Sequence, residues 1–147
     1  LLKLGNNQIS NRDAHKNTIY NLQKRTDLNS YTIHNIILLV AIEFLFIMYL
    51  ETIATTSDRT SKVFGITVSQ LNNKNINTLL KNQGVYNGLI GLFLIYGLFF
   101  SSAPKQLCIP ILIYTIIVAI YGGLTSHISI FLKQGTLPIL ALISLLL

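Results

Sequence analysis

The apolar run over residues 33–55 constrains the fold of this chain more than any other feature. It reads IHNIILLVAIEFLFIMYLETIAT, and its acidic residues are Glu43 and Glu51. About 20 helical residues at 1.5 Å each cover the roughly 30 Å hydrocarbon core of a bilayer. Because lipid cannot hydrogen-bond to an exposed backbone, a run that crosses it must be helical. We therefore expect a first membrane span over about residues 33–55.

Two further apolar runs are separated by a short polar loop. Residues 84–100 read GVYNGLIGLFLIYGLFF, and residues 107–124 read LCIPILIYTIIVAIYGGL. The loop between them is short, and short loops join antiparallel helices. Pro110 is placed in the first turn of the later run, where proline costs little. These runs predict a second and a third span.

The last run, over residues 127–147, contains Lys133 and Pro138. It could form one helix that bends at Pro138, with Lys133 reaching toward the interface, or a shorter helix that begins near Thr136. We favour the bent helix, since eleven residues would cover only about half of the hydrocarbon core. The sequence thus predicts an all-α, antiparallel up-down bundle of four transmembrane helices in a multi-pass cell-membrane protein.

Composition supports lipid as the surroundings of this bundle. Of 147 residues, 51% are hydrophobic and only 11% charged, which is too few charges for a water-soluble surface. Residues 1–30 are polar without apolar periodicity and predict a poorly ordered tail ahead of a membrane domain over residues 31–147. The net charge of +6 is loop charge near lipid head groups rather than a nucleic-acid footprint.

Glu43 is the most informative single residue, because it lies about ten residues into the first span. An ionised carboxylate at that depth costs several kcal/mol unless it is paired or hydrated. Glu43 is therefore either a proton, cation or ligand site, or a protonated acid bonded to a neighbouring helix. Glu51, two turns later, is expected at the membrane edge, paired with Arg59 or Lys62, with the mouth of a polar pathway as the alternative.

A second cluster of polar groups opens the second span, in KNQGVYNG. Gln83, Tyr86 and Asn87 share one helix face by their spacing. Buried amides need partners, so this face is expected to point inward. It either holds helices together or forms a polar ligand pocket with Glu43, to which the Tyr121 hydroxyl could also donate. The commoner role for Tyr121 is an interfacial anchor.

Small residues repeat along the same span at Gly84, Gly88 and Gly91, a pattern that allows another helix to approach closely. We considered these glycines as a seam for a homo-oligomer. Cys108 has no partner for a disulfide, and the sequence contains no paired cysteine motif, phosphate loop or HExxH. No metal, cofactor or familiar catalytic chemistry is therefore predicted, and a non-enzyme is favoured.

Five strings in this order resemble a bacterial integral-membrane family, the domain of unknown function 1304. They are EFLFIMYLE, KVFGIT, NQGVYNG, IYGGLT and QGTLPILALISLLL, spread over about residues 33–147. The resemblance implies four membrane helices and no settled activity. It also implies that the segment before Ile33 is an extended start, since members begin near the first span. Phe44 and Phe46 stand where the family tends to have His and Tyr, which weakens an enzymatic interpretation.

Three hypotheses follow from the sequence. The first is a bundle whose inward polar site, formed by Glu43, Gln83, Asn87, Tyr86 and Tyr121, binds or passes a small molecule or a proton. The second is an accessory membrane protein whose polar face is only structural. The third is an intramembrane enzyme acting on a lipid-soluble substrate.

Overall fold

The computed structural model describes the backbone of residues 2–147 and side chains from residue 15 onward. Seven α-helices and one π-helical turn, with no strand, make up this described part. The helices are α1 (Leu2–Met48), α2 (Asp58–Phe64), α3 (Val68–Leu71), α4 (Lys74–Phe99), α5 (Pro104–Thr125), α6 (Ile128–Gln134) and α7 (Thr136–Leu146), and the π turn is Tyr49–Ile53.

The chain divides into two units, Leu1–His34 and Asn35–Leu147. The first unit is helical, and its side chains from residue 15 to residue 32 are exposed. A helix differs from the poorly ordered tail that the polar composition predicts. It satisfies the backbone hydrogen bonds of this segment without needing an apolar face to pack.

Buried residues recur at helical spacing in the second unit. On α5 the buried stripe is Cys108, Leu112, Thr115 and Ala119, and α1 buries Ile37, Val40, Ala41, Phe44 and Ile47. Residues three and four apart lie on one helix face. The remaining faces of these helices carry exposed apolar side chains such as Leu39, Ile117 and Ile120.

Two helices are long and apolar enough to cross a membrane, His15–Ile53 and Pro104–Thr125. The pair α6 and α7, bent by 43°, makes a third if it is counted as one span. Helix α4, with 26 residues, is long enough to cross a membrane. However, Asn82, Gln83 and Asn87 lower the hydropathy of its first half.

The positions of two prolines within their helices differ from those predicted from the sequence. The bend in the last segment falls at Gly135, between α6 and α7, rather than at Pro138. A Cβ on Gly135 would lie 2.8 Å from the Phe131 carbonyl oxygen, so the bend requires glycine. Pro138 lies in the first turn of α7, where it removes no helical hydrogen bond. Helix α5 begins at Pro104, one turn earlier than predicted, so Pro110 falls in its second turn.

Candidate functional site

Three glycines bring α4 against the end of α1. Added Cβ atoms on Gly84 and Gly88 would overlap the side chains of Thr52 and Met48, and one on Gly91 would lie 2.8 Å from the Ala41 carbonyl oxygen. The contacts run in opposite chain order, so the two helices are antiparallel. These glycines are buried between helices of the same chain, and the homo-oligomer seam stays a prediction.

A buried acid and a buried amide meet across this seam. Asn87 Nδ2 donates a 2.7 Å hydrogen bond to Glu51 Oε2. Glu51 is completely buried, and Asn87 is 8% exposed. The other carboxyl oxygen, Glu51 Oε1, has no hydrogen-bond partner, although the Gln83 amide lies beside the same carboxyl. The bond links α4 to the end of the first helix.

The sequence prediction for Glu51 was therefore wrong. Glu51 was expected at the membrane edge with Arg59 or Lys62, whereas it is enclosed between two helices. The Arg59 guanidinium instead lies 5.3 Å from the centre of the Phe46 ring, an attractive cation–π arrangement. The predicted inward partner of Asn87 was Glu43, and Glu51 takes that place.

Glu51 lies in the π turn that follows α1, seven residues after the buried Phe44. The Ala54 amide donates to the Tyr49 carbonyl at 2.9 Å, a bond across five residues instead of four. A π turn holds more residues per turn than an α-helix and so changes the direction of the side chains within it. Single π turns of this kind occur frequently at functional sites.

Thr60 of α2 completes the end of this turn. Its buried hydroxyl donates to the Ala54 carbonyl at 2.7 Å and lies 3.2 Å from the Leu50 carbonyl. These carbonyls lie at the end of the helix, where no following helical N–H group is available to bond to them. The α2 segment is thereby fixed next to the π turn and the Glu51–Asn87 bond.

Beside Asn87 the structure encloses a cavity of about 460 Å³. Its volume lies within the usual range of small-molecule sites. Helices α4, α5 and α6 supply most of the wall, and α1 and the connection after α2 supply the rest. The polar lining side chains are Gln83, Tyr86, Asn87, Tyr114, Thr115, Tyr121, Ser126 and Gln134, and the apolar ones include Phe44, Phe64, Ile66 and Ile90.

The connection between α2 and α3 forms one side of the cavity. Phe64 and Ile66 line it on either side of Gly65, which has a φ of 68° and ends α2 in the left-handed conformation that glycine favours. Lys133 of α6 donates a 3.0 Å hydrogen bond to the Val63 carbonyl. This bond ties the end of α2 to α6, which also lines the cavity, and the reach of Lys133 toward the interface stays a prediction.

No charged side chain belongs to the lining of this cavity. Amide, hydroxyl and phenol groups can donate and accept hydrogen bonds without offering a counter-charge. Asn87 gives one of its two Nδ2 hydrogens to Glu51, so its oxygen Oδ1 and its second N–H are left to bond to a ligand. The lining is thus suited to an uncharged molecule with polar groups on one edge.

The predicted site residues divide into two groups. Gln83, Tyr86, Asn87 and Tyr121 all line the cavity, but Glu43 does not. Glu43 is half-buried, and its Oε2 atom is buried without a hydrogen-bond partner. Cavity residues that sequence reasoning missed include Thr115 and Gln134.

The described side chains form no set of metal ligands. Among the residues that the structure describes, no group of three or more His, Cys, Asp or Glu side chains could hold a metal ion. The cavity offers polar groups for binding, and none of its lining residues is His, Cys, Asp, Glu, Lys or Arg.

These features define an all-helical protein with two or three helices apolar enough to cross a membrane. The family described as "Protein of unknown function (DUF1304)" matches residues 38–146. "Uncharacterized protein YpaA" of Lactococcus lactis subsp. lactis (strain IL1403) is 59% identical over 107 residues, which cover 73% of this chain and 90% of the relative. No solved structure matches the chain. The chain belongs to the DUF1304 family, which confirms the resemblance seen in its motifs.

Proposed function

We propose that this chain is a four-span protein of the cell membrane that binds a small uncharged molecule in the cavity beside Asn87. Support for the second span comes from its neighbours. Helix α4 is about 39 Å long at 1.5 Å per residue, and it packs between α1 and α5, the two helices that pass as spans on their own. Of its polar residues, Gln83, Tyr86 and Asn87 line the cavity, while Lys81 and Asn82, in the first half of the helix, are exposed.

The bent pair α6 and α7 supplies the fourth span in this proposal. Lys105, at the start of α5, donates a 3.2 Å hydrogen bond to the Leu145 carbonyl near the end of α7. Since α6 begins just after α5 ends, the bent pair runs back along the whole of α5. A segment that returns over the full length of a span is itself a span.

The single observation that carries the binding function is the lining of the cavity. Buried amides and hydroxyls are costly in an apolar surrounding unless they have partners. Here eight polar side chains line one space. Asn87 and Thr115 are buried and already bond to Glu51 and to the Leu112 carbonyl, whereas the other six are exposed or half-buried. Because lipid cannot hydrogen-bond to those six side chains, a ligand or water in the space would be their partner.

An accessory protein with a purely structural polar face is the second candidate. The glycine seam and the Glu51–Asn87 bond favour it, because both hold α4 against the first helix. This candidate predicts a stable bundle whose cavity binds no solute.

The test uses 4-fluorobenzamide, a small uncharged ring with one donor group and one acceptor. Binding is followed by ¹⁹F NMR with the full chain in detergent micelles, beside 4-fluorobenzoate and 4-fluorobenzylammonium. We expect saturable binding of the amide and none of the two ions, because the cavity offers no counter-charge. Partition into micelles is measured without protein and subtracted.

Occlusion of the cavity provides the matched variants. Val118 lines the cavity, whereas Ile117, the residue before it in α5, does not. Val118→Trp should remove binding of 4-fluorobenzamide, whereas Ile117→Trp should leave it unchanged. Equal binding in both variants, or no saturable binding in the unmodified protein, would reject the proposed function and leave the accessory role.

A further inference from the structure

A second, apolar pocket adjoins the polar cavity. It has a volume of about 350 Å³ and lies between α4 and α5, lined by Tyr86, Leu89, Ile90, Phe93, Pro110, Ile111 and Tyr114. Apart from the two tyrosine hydroxyls, its side chains are apolar. It is the more open of the two pockets, and Leu89 and Phe93 are 44% and 52% exposed.

The two pockets share part of their walls. Tyr86, Ile90 and Tyr114 line both of them. The shared residues lie where the polar lining ends and the apolar lining begins, so the pockets meet at these side chains. From Tyr86 to Phe93 the apolar part follows α4 for about 10 Å.

We infer that the ligand is a single-chain amphiphile with an uncharged head, and this inference rests on the proposed function. The head occupies the polar cavity, where Gln83, Asn87 and Gln134 offer amide groups. The chain lies in the apolar pocket against Leu89 and Ile111. The tyrosines at the junction can bond to the inner edge of the head group.

Charge and access both support this ligand class. Neither pocket is lined by a charged residue, so a head such as a phosphate, carboxylate or ammonium would be buried without a partner, which is costly. In the proposed four-span arrangement the apolar pocket faces the lipid between α4 and α5. The ligand therefore reaches the cavity sideways from the bilayer.

The experiment uses decanamide carrying a photoactivatable diazirine near the end of its chain, with the full protein in lipid nanodiscs. Cross-linked residues are identified by mass spectrometry. We expect adducts at Leu89, Phe93 and Ile111, and we expect unlabelled decanamide to compete for them. Decanoate and decylammonium, which have the same chain, should not compete.

Two leucines of α4 provide matched variants. Leu89 lines the apolar pocket, whereas Leu92 is exposed outside it. Leu89→Trp should lower the competed labelling roughly tenfold, because an overfilled pocket costs on the order of 1 kcal/mol or more. Leu92→Trp should leave the labelling unchanged, and both variants should still bind 4-fluorobenzamide.

The outcomes separate this inference from the proposed function. Labelling that spreads over all lipid-exposed faces without competition would show bulk lipid contact only and overturn the inference, even if 4-fluorobenzamide binds. Competition by decanoate equal to that by decanamide would overturn the uncharged head. Failure of both decanamide and 4-fluorobenzamide to bind would reject the proposed function as well.

Discussion

The Glu51–Asn87 bond should appear as a coupling energy in a double-mutant cycle. Asn87→Leu removes the bond to Oε2 of a buried carboxyl, which costs about 1–3 kcal/mol. Glu51→Leu should cost less, about 1 kcal/mol, because Asn87 borders the cavity and can bond to water there. When both groups are replaced by leucine, no buried polar atom of the pair is left unsatisfied, so the double variant should be more stable than the sum of the single losses.

The expected coupling is about 0.6–1.7 kcal/mol, the range found for hydrogen bonds between membrane helices. The free energy of unfolding is measured in mixed micelles by titration with sodium dodecyl sulfate and followed by far-UV circular dichroism. Asn82→Leu, at an exposed position of the same helix, is the control and should change stability by less than about 0.5 kcal/mol. Strictly additive single effects would refute the bond as a link between the helices.

Three other substitutions probe the frame around the site in the same unfolding assay. Gly91→Ala should lower the free energy of unfolding by about 1–3 kcal/mol because its Cβ meets a backbone carbonyl. Gly88→Ala should lower it by less, because the flexible Met48 side chain can move. Equal losses in the two variants would contradict the close packing of α4 against α1. Gly65→Ala should cost about 1 kcal/mol from its positive φ alone, since no neighbouring atom is in the way; a neutral result would contradict that conformation. Thr60→Val should cost about 1 kcal/mol because it removes the hydroxyl bonds to the Leu50 and Ala54 carbonyls, while the Ala54 carbonyl keeps its bond from the Ser57 amide; an unchanged stability would contradict a role of these bonds in fixing α2.

The sequence predicted much of the helical layout because hydrophobic length is a direct signal. The apolar runs coincide with the second half of α1, with α4, with α5 and with the pair α6 and α7. The bend at Gly135 was misplaced at Pro138, because a proline in the first turn of a helix looks the same in sequence as a proline that kinks one.

The candidate site was predictable in part for a related reason. Amides and tyrosines at helical spacing indicated an inward face on α4, and Gln83, Tyr86 and Asn87 do line one cavity. The acid that meets Asn87 was chosen wrongly, because Glu51 was assigned to the membrane edge from its distance along the span. Helical spacing puts Glu51 on the same face as the buried Phe44, seven residues earlier, and the structure shows Glu51 rather than Glu43 against α4.

The connection over residues 54–73 could not be predicted from periodicity. Its contribution to the cavity depends on long-range contacts, such as the bond from Lys133 to the Val63 carbonyl. A single lysine in an apolar segment gives no indication of which distant carbonyl it reaches.

Cysteine accessibility tests most directly that a polar cavity lies inside the membrane domain. In a Cys108→Ala background, single cysteines are placed by Val118→Cys and Ile117→Cys and treated with N-ethylmaleimide in sealed membranes. Val118→Cys should react, because it lines the hydrated cavity, and 4-fluorobenzamide should slow its reaction, whereas Ile117→Cys, which faces lipid in our proposal, should stay unlabelled. Equal labelling at both positions, or no labelling at position 118, would contradict the cavity.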